Sequence, residues 1–326
     1  MPMNNKKTAK LIILIAFSML LLMCCCVFTL IISGMSEESM GKFTTKTIKD
    51  GVETQKVAVI NLDGIITSYK MVDLWGNETP SMSEDLMRKI DTAKNDDNVK
   101  AVLLKVNSPG GEAFASKEIY NKLREFKESG KPLVVQMQDA AASGGYYVSL
   151  PADEIIASSI TTTGSIGVII TGTDFQGLYE KVGIKEFRVI NTEGDLKVLE
   201  NLNDKDSESY KILQSILDDV YDDFVDAVVE SRGLSRSSVI QISDGRVYSG
   251  KQAEEVGLVD TIGETATAMA SVETLAGLDN PKYITYESKS NPFSLYSLSI
   301  KKILFPESSV LEQKSPGFKV QYLMQI

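Results

Sequence analysis

From Lys56 onward the chain alternates short β-rich runs with helix-spaced ones, and that alternation limits its fold more than any other feature. Lys56 to Thr67 carries Val57, Val59, Ile60, Leu62, Ile65 and Ile66, the pattern of a buried strand entering a turn at Asp63-Gly64. Ser83 to Asn95 has helical spacing (Leu86, Ile90, Ala93) behind serines able to cap it. Lys100 to Val106 is β-rich, Ala113 to Phe126 is helical through Ile119, Leu123 and Phe126, and Pro132 to Met137 is another strand. Glu154 to Ser158, Lys185 to Ile190 and Lys282 to Glu287 read as further strands. Asp206 to Ser231 is the longest helical pattern, closed by Gly233. Its two adjoining apolar stripes fit packing against a neighbour, and a wholly intramolecular core equally well. The alternation predicts an α/β fold with the sheet buried between helices.

The flanks differ in kind. Leu11 to Ser33 is an uncharged, almost wholly apolar run of 23 residues. As a helix it would be roughly 34 Å long, enough to span a bilayer core. Lys6, Lys7 and Lys10 before it, with Glu37 and Glu38 after it, place residues 1–10 in the cytoplasm and the chain from about Gly34 outside. A cleaved signal peptide is the competing reading, and the run is longer than the ~7 to 15 residues of a signal core. Cys24, Cys25 and Cys26 are the only cysteines and all lie in this run, so the remainder has no disulfide or thiol chemistry. Met23 stands before Cys24 where a lipid-attachment site has a small residue. Residues 34–55 read as a polar stalk, 56–287 as the folded domain and 288–326 as a Ser-rich, loosely amphipathic tail.

No histidine occurs in the 326 residues, which excludes Ser-His-Asp, Cys-His and His-ligated metal chemistry. The net charge of -10 argues against a nucleic-acid surface. No cofactor or metal is expected. Within Asp139 to Tyr147, Ser143 stands between small residues and paired glycines, the pattern of a nucleophile on a tight strand-to-helix turn. The amide of Gly144 would then face a developing negative charge. Asn107-Ser108-Pro109-Gly110-Gly111 reads as a second glycine-rich turn, able to aim backbone N–H groups at a carbonyl. Thr161 to Ser165 offers hydroxyls nearby. Taken alone, the stretch around Ser143 favours an ordinary structural turn, and neither glycine turn decides by itself. A serine nucleophile here needs a lysine base. A solvated lysine titrates near pH ~10.4, so only about one in 2,500 is neutral at pH 7 unless it is desolvated.

Four motifs in order carry a family resemblance: Asn-Ser-Pro-Gly-Gly at 107–111, Ala-Ala-Ser-Gly-Gly-Tyr-Tyr at 141–147, Thr-Gly-Ser-Ile-Gly-Val at 163–168, and Asp-Gly-Arg-Val-Tyr-Ser-Gly-Lys-Gln-Ala at 244–253, followed by Gly257-Leu258-Val259-Asp260. Over roughly Lys56 to Tyr286 the chain resembles the bacterial signal peptide peptidases of the SppA type. The resemblance implies a membrane-anchored serine endopeptidase with a Clp protease/crotonase-like fold of repeated β-β-α units. It puts the nucleophile on Ser143, the oxyanion amides on Gly111 and Gly144, the base on Lys197 within Gly194-Asp195-Leu196-Lys197, and the hydroxyl that orients the base on Ser165. It implies remnant signal peptides or similar apolar peptides as substrates, at the outer face of the cytoplasmic membrane. It also implies a homo-oligomeric ring in which serine and lysine meet between protomers.

The surroundings of Lys197 depart from the family pattern. The segment from Phe187 to Lys197 is one residue longer, and Val198, Leu199 and Glu200 replace the usual residues after the lysine. Lys185 and Lys205 therefore stay open as the base. A scaffold or binding protein that has lost the base, and an acyl-CoA enzyme on the same fold, are the competing classes. Placement outside the membrane counts against the second. The tail is expected to be either disordered or a substrate mimic in a neighbour's groove.

Overall fold

A computed structural model of the chain describes residues 19, 43–72, 78–185, 187, 202–287 and 320–324. In chain order the elements are β1 (Thr44–Lys49), β2 (Val52–Asp63), β3 (Met71–Val72), β4 (Glu78–Thr79), α1 (Met82–Asn95), β5 (Val99–Ser108), β6 (Gly110–Glu112), α2 (Ala113–Glu128), β7 (Leu133–Ala142) and α3 (Gly144–Ser149). They continue with β8 (Glu154–Ala157), β9 (Thr162–Gly164), β10 (Ile169–Ile170), α4 (Gln176–Val182), α5 (Glu208–Arg232), α6 (Arg236–Ile242), β11 (Val247–Ser249), α7 (Gly250–Glu255), β12 (Thr261–Ile262), α8 (Thr265–Ala276), β13 (Pro281–Glu287) and β14 (Val320–Leu323). Two units are distinguished by their internal contacts. The larger comprises Thr45–Tyr286 with Asn291–Ile326. Of the smaller, Met1–Thr44 with Glu287–Ser290, the described part includes a hydrogen bond from the Thr44 hydroxyl to the Glu287 carbonyl at 3.3 Å.

The near-continuous apolar runs of β2, β5 and β7 predict strands covered on both faces, as parallel sheets require. The main sheet has that form, with order β1-β13-β2-β5-β7-β8-β12 and parallel pairing from β13 to β12. Val57, Val59, Ala101, Leu103, Val134 and Ile156 pack on α8 through Ala268 and Val272. α1 and α2 bury Leu86, Ile90, Ile119, Leu123 and Phe126. α1 starts at a capping box: the Ser81 hydroxyl accepts from the Glu84 N–H at 3.2 Å, and the Glu84 carboxylate accepts from the Ser81 N–H at 3.3 Å. α5 ends at Gly233, whose φ of 63° is the left-handed stop that glycine permits.

Two departures from the sequence reading affect the site. The stretch expected to be a stalk contributes β1 and the start of β2, so sheet structure begins by Thr44. The segment 107–111, read as a turn, is the end of β5, a kink at Pro109 and the short strand β6. Strand β5, strand β6 and helix α2 form one β-β-α unit. In the next turn of chain β7 runs straight into α3 without a second strand. The expected membrane span at 11–33 lies outside the described residues apart from Met19, as does most of the strand expected at 185–190. Among the described residues no helix is long and apolar enough to cross a membrane.

Candidate active site

Strand β7 changes partner along its length, and that change builds the site. It pairs with β8 from Val134 to Met137, then with β9 through Ala140↔Thr162, Ala141↔Thr163 and Ala142↔Gly164. Ser143 and Ser165 therefore follow directly at the ends of two adjacent parallel strands. Both have φ of 51°, the left-handed region that non-glycine residues seldom adopt. The Ser143 N–H donates to the Gly164 carbonyl at 2.8 Å, and the Ser165 N–H to the Arg246 carbonyl at 2.8 Å, so backbone bonds hold both turns. Ser143 is 1 % exposed and its hydroxyl has no hydrogen-bond partner among the described residues. A buried, unpaired hydroxyl on a strained turn is costly to a fold, by about 1–3 kcal/mol for the lost hydrogen bond alone.

The glycines answer to close approach. A Cβ at Gly145 would stand 2.7 Å from the Ser108 carbonyl oxygen, so the end of β5 lies against the turn into α3. A Cβ at Gly111 would stand 2.1 Å from the Ile66 carbonyl oxygen. Gly110 has φ of 100°, and its N–H donates to the Ser108 hydroxyl at 3.1 Å. The Asn107 carboxamide oxygen accepts from the Ala140 N–H at 3.3 Å, tying the kink to β7. The threonines after β8 serve the same end rather than lining the site. Thr161 and Thr163 donate to the carbonyls of Gln138 and Ala141, each at 2.6 Å.

The last two motifs hold this turn from behind. The Tyr146 hydroxyl donates to the Leu258 carbonyl at 3.0 Å, and full burial raises its pKa well above the usual phenol range. Asp260 accepts from the Ile155 N–H at 2.8 Å and from Arg232 of α5 at 2.5 Å. Tyr147 packs between Tyr120, tilted against it at 4.8 Å between ring centroids, and Phe224, edge-on at 5.1 Å, and burial raises its pKa too.

Strand β14 could not be placed from sequence. It lies between β6 and β10, antiparallel to both, with Tyr322 opposite Gly111 and Gln321 opposite both Glu112 and Ile169. The tail thus enters a groove of its own chain, neither of the two expected arrangements. The Met324 N–H donates to the Pro109 carbonyl at 2.9 Å. Hydrogen-bonding pairs recur at every second residue of an antiparallel ladder, so Tyr322 and Gly111 form the next pair, with the Gly111 amide turned toward the tail backbone. Beside Met324 a cleft of about 640 Å³ runs past Ser165, Leu217, Asp218, Tyr221 and Ser243. The only sequence sign of β14 is its β-prone composition.

The structure brings together Ser143, Gly144, Ser165 and Gly111. Among the described residues it brings no lysine to them. Lys197 lies outside the described residues, while Lys185 and Lys205 are exposed and neither reaches the Ser143 hydroxyl. Among the described residues no cluster of acidic or cysteine side chains could hold a metal ion.

An α/β scaffold that presents a buried serine at positive φ, flanked by glycine amides and free of histidine, defines a serine-nucleophile enzyme class. Comparison with known proteins narrows the class. Residues 125–279 match the family model of peptidase family S49. The chain is 34 % identical over 254 residues to a putative signal peptide peptidase SppA of Enterococcus faecium, covering 78 % of this chain and 73 % of that protein. It is 37 % identical over 220 residues to Protease 4 of Haemophilus influenzae, covering 68 % of this chain but 35 % of that longer one. The chain belongs to peptidase family S49, the SppA type. Among solved structures, ClpP1 from Listeria monocytogenes aligns over 66 % of this chain and 95 % of its own with TM-score 0.41 and 16 % identity, too distant a likeness to bear on residues or assembly.

Proposed function

We propose that the protein is a membrane-anchored serine endopeptidase that cleaves extended, apolar peptides such as remnant signal peptides at the outer face of the cytoplasmic membrane. The observation that carries this reading is β14: an extended segment already pairs on both sides in a groove that runs along Gly110–Glu112, on the strand that carries Gly111. A substrate strand in that position is held by backbone bonds, which suits diverse unfolded sequences. The residue opposite Gly111 would present its carbonyl to the oxyanion amides.

In the mechanism a neutral lysine takes the proton from Ser143 Oγ as that oxygen bonds to the substrate carbonyl carbon. The N–H groups of Gly111 and Gly144 hold the resulting oxyanion. The C–N bond then breaks, the lysine returns its proton to the leaving amine, and water activated by the same lysine releases the acyl group. Lys197 is the base this reading assigns and Ser165 the hydroxyl that orients it. That no lysine among the described residues reaches the Ser143 hydroxyl fits a base supplied across a protomer boundary, in a homo-oligomeric ring on a Clp protease/crotonase-like scaffold. The apolar run at 11–33 would keep the enzyme near its substrates.

The test is cleavage of a fluorogenic peptide by residues 43–326, with labelling of Ser143 by a fluorophosphonate. Ser143→Ala should lose at least ~10³-fold in kcat and all labelling. Lys197→Ala should be equally inactive while Lys185→Ala and Lys205→Ala retain activity, which should rise toward alkaline pH as the lysine loses its proton. A correctly assembled wild type that neither cleaves a broad peptide set nor takes the label would instead be a scaffold on the same fold.

A further inference from the structure

Gly111 can donate to an oxyanion only if its peptide plane is held, and the element that holds it is the segment Gly64–Ser68. This strap runs beside β6. The Ile66 N–H donates to the Gly110 carbonyl and the Glu112 N–H to the Ile66 carbonyl, both at 2.9 Å, and Ile66 bridges Gly111. Backbone meets backbone here, since a Cβ on Gly111 would come within 2.1 Å of the Ile66 carbonyl oxygen. Movement of the strap would therefore turn the Gly111 amide.

The strap's near end is tied by the Gly64 N–H to the Asn107 carbonyl at 2.9 Å. In its middle Ile66 is buried and Ile65 is 55 % exposed, and the Thr67 carbonyl accepts from the Ser83 N–H at 3.3 Å. At the far end Glu112, only 8 % exposed, accepts from both the N–H and the hydroxyl of Ser68 through Oε2, at 3.2 and 2.5 Å. A carboxylate acceptor makes such bonds roughly twice as strong as a neutral one. The clamp closes a loop that starts at the Gly111–Glu112 peptide and returns to it.

We infer that Glu112 is a positioning residue for catalysis: its carboxylate clamps Ser68, fixes the strap and so aims the Gly111 amide. The inference rests on the peptidase reading, and it singles out a side chain that is bonded to Ser68 and not to the Ser143 hydroxyl. Displacement of a catalytic group by about 1 Å can lower a rate ~10²-fold. Glu112→Ala should lower kcat at least tenfold with KM within twofold, and Ser68→Ala, which leaves the backbone donor, should lose less. Glu112→Gln keeps a carbonyl acceptor and should restore most of the rate.

A peptide aldehyde supplies the second readout, because its hemiacetal with Ser143 needs the oxyanion amides. Its affinity should fall in parallel with kcat in Glu112→Ala, while the uncleaved amide-capped peptide binds as it does to wild type and the variant still folds and assembles. Unchanged kcat and aldehyde affinity in Glu112→Ala would overturn the assignment. So would raised KM at constant kcat, which would make Glu112, opposite Gln321 in β14, a substrate contact. Wild-type cleavage and Ser143→Ala in the same assay separate this failure from failure of the peptidase reading.

Discussion

The nucleophile side and the side facing α4 are finished to different degrees. Around Ser143 backbone bonds hold the turn, and Tyr146, Tyr147, Phe224 and Leu258 are buried. Along α4 the apolar residues face outward: Leu178 is 53 % and Val182 59 % exposed, with Phe175, Ile184 and Phe187 also exposed. In α5 the burial is split in the same way, with Phe224, Val225 and Val228 inside and Ile216 exposed. One half of the reaction centre is completed by the chain's own core. The α4 side instead leaves large apolar side chains on the surface, the kind of patch that marks an interaction face.

The largest effect that would break this contrast is at Gly111. Gly111→Ala forces a methyl against the Ile66 carbonyl and should cost about 10²–10³ in kcat, the value of one oxyanion donor. Near-normal kcat would mean that this amide does not face the reaction. Leu178→Asp combined with Val182→Asp tests the other half. Analytical ultracentrifugation should show smaller species, with peptide cleavage down by ~10-fold or more, while the melting transition of the separated chain persists. An unchanged sedimentation profile would return those residues to the class of plain surface.

Truncation after residue 310 connects the halves, because β14 fills the groove between β6 and β10. Peptide cleavage should rise several-fold at subsaturating substrate, through KM, as competition for one site requires. Unchanged kinetics would show that the tail leaves the groove freely. The smallest effect is electrostatic and lies in the seam between α1 and α2. Lys94 and Lys122 hold the Glu125 carboxyl down to about 2 from 4.5. Its contribution to stability is therefore complete above pH 4.5 and fades as pH falls toward 2. The urea midpoints of wild type and Glu125→Gln should differ slightly at neutral pH and converge near pH 2.

Much of this is legible in the sequence because its causes are local. Apolar runs of strand length, the serine caps and Gly233 mark β2, α1 and the end of α5 within a few residues of themselves. Ser143 and Gly111 stand out because tight turns leave glycines around them. The roles of Thr161 and Thr163 are not legible, since a hydroxyl lining a site and a hydroxyl tying down a carbonyl look alike in sequence. The clamp from Glu112 to Ser68 leaves no sequence sign at all, for neither residue belongs to a motif.

By itself the sequence determined the alternation that makes an α/β sheet, the absence of histidine chemistry and the glycine-flanked turn that carries Ser143. The tertiary structure decided which amides flank that serine, that sheet structure starts by Thr44, and that β14 lies in the chain's own groove. The reason is physical. Periodicity and turn chemistry act over a few residues, whereas strand addition joins backbone groups that any sequence carries. Only the folded edge of β6, with donors and acceptors still unpaired by the main sheet, selects the segment that completes it.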